Sequence, residues 1–164
     1  QFHTTTYSNP KKNKTSAFFA YSLSKFTFSN ICFHISKKLK AKCRIVKLFH
    51  VYGKGEKKHR LYPSLIKAAK NGKDFLMTSG NQRRDFSKID NAVKAILSMT
   101  NFRKKEKNFP QIWDLASGKN SSVKSFAKKI WKEQKAEGKL IFNKIKDHDE
   151  NTYLPNKKII RKIN

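Results

Sequence analysis

The chain of 164 residues carries 38 Lys and Arg against 11 Asp and Glu, a formal net charge of +27, with 37% hydrophobic residues and 13 Phe. That apolar content suits one packed domain or a large piece of one and excludes a chain disordered over most of its length. Arginine stands only at Arg44, Arg60, Arg83, Arg84, Arg103 and Arg161, so the positive charge is mostly lysine dispersed along nearly every segment. This pattern fits compositional drift toward Lys, Asn, Phe and Ile better than a dedicated nucleic-acid surface, where the bidentate fork of Arg is favoured. Nonspecific, salt-dependent binding to polyanions is the consequence expected of it.

Two cysteines, Cys32 and Cys43, form no CxxC pair and have no His at metal-ligand spacing. They argue against a disulfide framework and a zinc site, and they fit a reducing cytoplasm. The most apolar stretch, Ala17 to Ile35, is interrupted by Lys25 and several serines, so neither a signal peptide nor a membrane span is expected. The chain opens at Gln1 without Met, in what reads as a strand end, and a fragment of a longer protein is expected.

In chain order, Thr15 and Ser16 cap a helix that runs without Pro or Gly from Ala17 to about Lys40. Its apolar residues, among them Leu23, Ile31, Ile35 and Leu39, cover most of the circumference, which predicts burial on more than one side. Cys43 to Val51 reads as a buried strand ending at Gly53-Lys54-Gly55, with a lysine-rich loop to Arg60. Pro63 marks a helix start, and Gly72 ends that helix after an apolar face of Leu65, Ile66, Ala68 and Ala69. Phe75 to Thr78 is a short strand, and Ser79-Gly80-Asn81 a turn. Asp90 caps a helix with Val93, Ile96 and Leu97 at helical spacing. Ile112 to Ala116 is a strand, Ser121 or Ser122 caps a helix carrying Val123, Phe126, Ile130 and Trp131, and Leu140 to Phe142 is a last strand. The polar tail beyond Asp147 reads as irregular. Strands alternating with helices make the fold class α/β.

A Tyr followed four residues later by Lys occurs at Tyr7–Lys11, Tyr21–Lys25 and Tyr153–Lys157. With so many lysines roughly one such match arises by chance. Pro10 and Pro155 interrupt the first and third, so only Tyr21 and Lys25 share an unbroken helical turn, where a cation one turn from the phenol favours its ionised form. Taken alone, the pair reads as a structural Tyr beside a solvated Lys.

Further segments change that. Arg44-Ile-Val-Lys-Leu-Phe-His-Val-Tyr-Gly53, Tyr62-Pro63-Ser64-Leu65-Ile66, Arg83-Arg84-Asp85-Phe86-Ser-Lys-Ile-Asp90-Asn91-Ala92 and Ile112-Trp113-Asp114-Leu115-Ala116-Ser117-Gly118-Lys119 follow in order. With Tyr21-Ser-Leu-Ser-Lys25 they resemble the C-terminal part of the NAD-dependent epimerase/dehydratase family, the extended short-chain dehydrogenase/reductases acting on nucleotide sugars. Their patterns there are Tyr-x-x-x-Lys, RLFNVYG, FIPSLI, RDFIYVDDVA and IYNIGSGK. The pairing of Tyr-Ser-Leu-Ser-Lys with His50 most resembles the branch of CDP-abequose synthase-like reductases.

The resemblance implies the C-terminal part of a Rossmann-type doubly wound sheet plus a small α/β substrate-binding subdomain. Residues 1–60 would hold the Rossmann portion with the catalytic helix, and residues 61–164 mostly the substrate-binding subdomain with interleaved sheet elements. Tyr21 would donate or accept the proton, Lys25 would assist it and hydrogen-bond the nicotinamide ribose, and Thr4 would orient the substrate, with Thr5 or Thr6 serving if the register is off. Arg84 would bind the nucleotide phosphates, a task suited to its bidentate donors. His50, Lys47 and Pro63 would face the substrate, His50 standing where Asn and Lys47 where Arg are usual. Asp90 is read as a cap, and the late substrate-binding Arg has no clear equivalent, His148 being nearest. The acidic cluster around His148 is not a metal site.

The implied cofactor is NAD or NADP, the implied partners a nucleotide-sugar substrate and a second copy of the chain through the Tyr/Lys helix. The glycine-rich turn that lets backbone approach a pyrophosphate is not in this sequence, because Gly53-Lys54-Gly55 is followed by Lys58 and comes after the catalytic helix. The implied function is a fragment of a nucleotide-sugar epimerase, dehydratase or reductase, inactive alone. A basic nucleic-acid-binding module and a degenerate truncated product are the alternatives.

Overall fold

The computed structural model describes residues 17–101, 106–146 and 160–162. Thr4, Tyr7, His148, Tyr153 and the proposed caps Thr15 and Ser16 lie outside the described residues.

The chain opens with a helix, α1 (Ala17–Lys38), and then runs into β1 (Arg44–Leu48) and β2 (His50–Tyr52). Where one strand from Cys43 to Val51 was expected, the chain changes sheets at the buried Phe49. Next come α2 (Leu61–Lys70), β3 (Phe75–Leu76), β4 (Arg83–Lys88) and α3 (Ile89–Thr100). They are followed by β5 (Gln111–Ala116), β6 (Asn120–Ser122), α4 (Val123–Glu133), β7 (Leu140–Ile141) and β8 (Ile160–Lys162).

Among the described residues β1, β5 and β8 form a parallel sheet in that order, with β5 in the middle. The strand β8 corrects the expectation of an irregular tail. A second sheet has the order β2-β4-β6, parallel between β2 and β4 and antiparallel between β4 and β6. The short strands β3 and β7 pair in parallel. Parallel neighbours require crossovers, and helices supply them here.

Two cores hold these layers. Ala92 and Met99 of α3 pack with Leu115 of β5, while α2 and α4 bury Leu65, Ala69, Ile130 and Trp131 with Tyr52 and Met77. Leu65 is wholly buried, and burial of such a side chain is worth about 1.5–3 kcal/mol. Ser122 caps α4 as expected, its hydroxyl accepting the Ser125 amide at 3.0 Å.

Other expectations shift. Helix α2 begins at Leu61, two residues before Pro63, because the amides of a first helical turn have no intrahelical acceptor and a proline there forfeits nothing. Asp90 is not the cap of α3; Lys88 is, without a side-chain hydrogen bond, and Asp90 sits in the first turn, where the helix dipole favours an acid. The expected burial of α1 on more than one side is not found, for Phe28, Ile31 and Ile35 are 49–60% exposed.

Candidate active site

The break between β1 and β2 places His50 at the start of the second sheet, opposite Phe86 of β4 in the register. The two rings meet edge to face with centroids 5.0 Å apart. Phe86 in turn stacks on Phe126 of α4 at 3.9 Å, which anchors the floor beneath the imidazole. Because side chains alternate along a strand, Arg84 shares the Phe86 face of β4 and Arg83 does not. Arg83 donates to the Asn120 carbonyl at 3.0 Å, whereas Arg84, half-buried, donates to the Arg83 carbonyl at 2.9 Å.

His50, Arg84 and Phe86 line one cavity of about 200 Å³ together with Glu56, Arg60, Leu61, Gln82 and Val123. An adjacent, more apolar cleft of about 490 Å³ is lined by the Gly53–Glu56 loop, Tyr62, Pro63, Ile66 and the lysines Lys67 and Lys70. The structure thus brings His50 and Arg84 to one cavity and Pro63 to its neighbour. Lys47 lines neither; it lies half-buried on β1, opposite Asp114 of β5.

Glu56 borders both cavities and escaped the sequence reading. It is the only acidic residue in the first 73 positions, and an isolated carboxylate amid cations was the available signal. Burial pushes its carboxyl above the usual glutamate range, an effect partly offset by Arg60 and by a hydrogen bond from the Gly53 backbone.

Asp85, wholly buried between Arg84 and Phe86, points to the opposite face. Its carboxylate accepts the amides of Ser117 and Gly118 at 2.8 and 2.7 Å, with the Ser87 hydroxyl at 3.4 Å. It therefore clamps the turn between β5 and β6 to β4, and through β4 it steadies the strand that carries Arg84.

On α1 the Lys25 ammonium stands 5.4 Å from the Tyr21 ring centre, and Tyr21 is 41% exposed. A phenol and an ammonium on one helical turn present hydrogen-bonding groups side by side, of the kind that meet a ribose diol. The described residues do not fit its pyrophosphate, which needs backbone laid bare by glycine. A Cβ on Gly53 would lie 2.5 Å from the Ile89 Cγ2, so this glycine makes room for protein rather than for phosphate.

The sheet switch thus delivers a histidine and an arginine to one cavity of an α/β scaffold that also carries a Tyr/Lys helix. The chain belongs to the NAD dependent epimerase/dehydratase family, whose model matches residues 3–115. Among curated proteins it is similar to the CDP-abequose synthase of Salmonella muenchen, 29% identical over 105 residues that cover 64% of this chain and 35% of that protein. Among solved structures it resembles the UDP-glucose 4-epimerase of Thermotoga maritima, with TM-score 0.68, 15% identity and coverage of 84% of this chain and 45% of the other. It also resembles the dTDP-glucose 4,6-dehydratase of Bacillus anthracis, with TM-score 0.66, 16% identity and coverage of 88% and 45%. These likenesses show the fold, α/β and Rossmann-like. The chain spans less than half the length of each of these relatives.

Proposed function

We propose that this chain is the catalytic and substrate-side part of an NAD(P)-dependent nucleotide-sugar epimerase, dehydratase or reductase. The observation that carries this is the single cavity in which His50 and Arg84 meet, built by the family's motifs from two neighbouring strands. Arg84 would hold the substrate's phosphates, His50 and Pro63 would border the sugar and its nucleotide, and Lys47 would act from β1. A bound nicotinamide would supply hydride exchange with a sugar carbon. Tyr21 would move the hydroxyl proton, and Lys25 would orient the phenol and the cofactor ribose. Thr4 is proposed to orient the reacting substrate group.

Residues 1–60 are proposed as part of the dinucleotide-binding domain and 61–164 as mostly the substrate subdomain, with β5 and β8 returning to pair beside β1. The exposed apolar residues of α1 are proposed to pack on a second subunit, in keeping with the meaning of contiguous apolar surface. The proposed compartment is the cytoplasm, in keeping with two free thiols. Polyanion binding by the dispersed lysines would be nonspecific. No described helix is long and apolar enough to cross a membrane.

The test of the chemistry is turnover by the chain joined to a family dinucleotide-binding segment. Tyr21→Phe should cut it about a hundredfold or more, the scale of general acid/base loss, while Tyr7→Phe and Tyr153→Phe should leave it intact. Equal losses at all three would contradict the assignment.

A further inference from the structure

Glu56 is a carboxylate that the proposed chemistry leaves unused. It lines both the cavity of Arg84 and the cleft of Tyr62 and Pro63, and therefore stands in the wall between them. Its Oε2 is screened from solvent and accepts no hydrogen bond. An unpaired buried acceptor is costly, which makes it a place where a ligand donor gains more than it would against water. The terminal torsion of a glutamate is broad, so its two oxygens exchange places at little cost. Burial raises the carboxyl only in part, because Arg60 and the Gly53 backbone favour the ionised, acceptor-only form.

The surroundings narrow the ligand. Arg60 and Arg84 make the cavity cationic, so a further cation is disfavoured there. A phosphate oxygen in direct contact with Glu56 would meet like charge. What remains is a neutral donor adjoining an anionic group, and a sugar hydroxyl beside a phosphate has that chemistry.

We propose that Glu56 accepts a hydrogen bond from a hydroxyl of the nucleotide sugar whose phosphates Arg84 holds, and so selects among substrates. This rests on the proposed function. The hydroxyl can come from the ribose or from the hexose, and the two sources are separable.

The chain, with Glu56→Gln and Glu56→Ala variants, is titrated calorimetrically with UDP, 2′-deoxyuridine diphosphate and UDP-glucose, and folding is checked by circular dichroism. If the ribose is read, the wild type prefers UDP over the deoxy form by about tenfold or more, as for a hydrogen bond to a charged group, and Glu56→Ala brings that ratio to about one. If the hexose is read, that ratio is untouched and Glu56→Ala erases a preference for UDP-glucose over UDP of about the same size. Glu56→Gln, which keeps an acceptor oxygen, retains part of whichever preference is found. Affinities that rise or fall together with unchanged ratios would reflect charge alone and overturn the proposal. A change confined to the ratio of UDP to CDP would place Glu56 on the base and overturn it equally. In either case UDP binding that weakens in Arg84→Ala leaves the proposed function standing, whereas a wild type that binds none of the three removes both.

Discussion

At the scale of single residues, two carboxylates, Asp85 wholly buried and Glu56 half-buried, do different work. Asp85 accepts two backbone amides, so Asp85→Ala should lower unfolding free energy by about 2–6 kcal/mol, from one to three for each stranded amide. Urea unfolding checks this, and a loss under about 0.5 kcal/mol, the size of a neutral surface change, would contradict the clamp. Glu56 binds its proton more tightly in the folded than in the unfolded chain, because its carboxyl is raised. Stability should therefore fall as pH rises from 4.5, the ordinary value, through the raised one. Glu56→Gln should be more stable than wild type at neutral pH and lose that advantage below 4.5, which urea midpoints across the pH range would register. The sequence made Arg84 and His50 legible because their motifs are local. Asp85 was visible too, but its partners lie 32 and 33 residues away and no spacing announces them.

At the scale of elements, periodicity located the helices well and the strands less well. The helices α2 and α4 each present one apolar stripe to a shared core, and such a stripe is written in the sequence. Periodicity did not announce β4 and β6, because Arg, Asp, Ser and Asn dominate them, and long-range pairing, not propensity, makes them strands. The switch from β1 to β2 also went unread, since an unbroken apolar run gives no hint that its two ends belong to different sheets. Gly53 fixes how the chain leaves β2, with positive φ and the stiff, β-branched Ile89 against it. Gly53→Ala should destabilise the fold by about 1–3 kcal/mol, the range for overpacking, and weaken UDP binding through displacement of the Glu56 loop. Unchanged thermal midpoint and affinity would show that the loop yields at no cost.

For the whole molecule, net charge alone would admit a nucleic-acid reading, the dispersal of its lysines speaks against one, and the family match over residues 3–115 agrees with the ordered motifs. Net charge describes the field around a protein, not its fold, and dispersed lysine makes a diffuse field. The central claim is that one half of a nucleotide-sugar site is built within this chain. Calorimetric titration of the chain with UDP-glucose, beside NAD, tests it most directly. Arg84→Ala should weaken UDP-glucose binding by about 1.5–3 kcal/mol, the range for a hydrogen bond to a charged group, and Arg83→Ala should cost much less. NAD should bind only weakly, for want of a pyrophosphate cradle. Micromolar NAD binding, or UDP-glucose affinity that survives Arg84→Ala and disappears in Arg83→Ala, would contradict the claim.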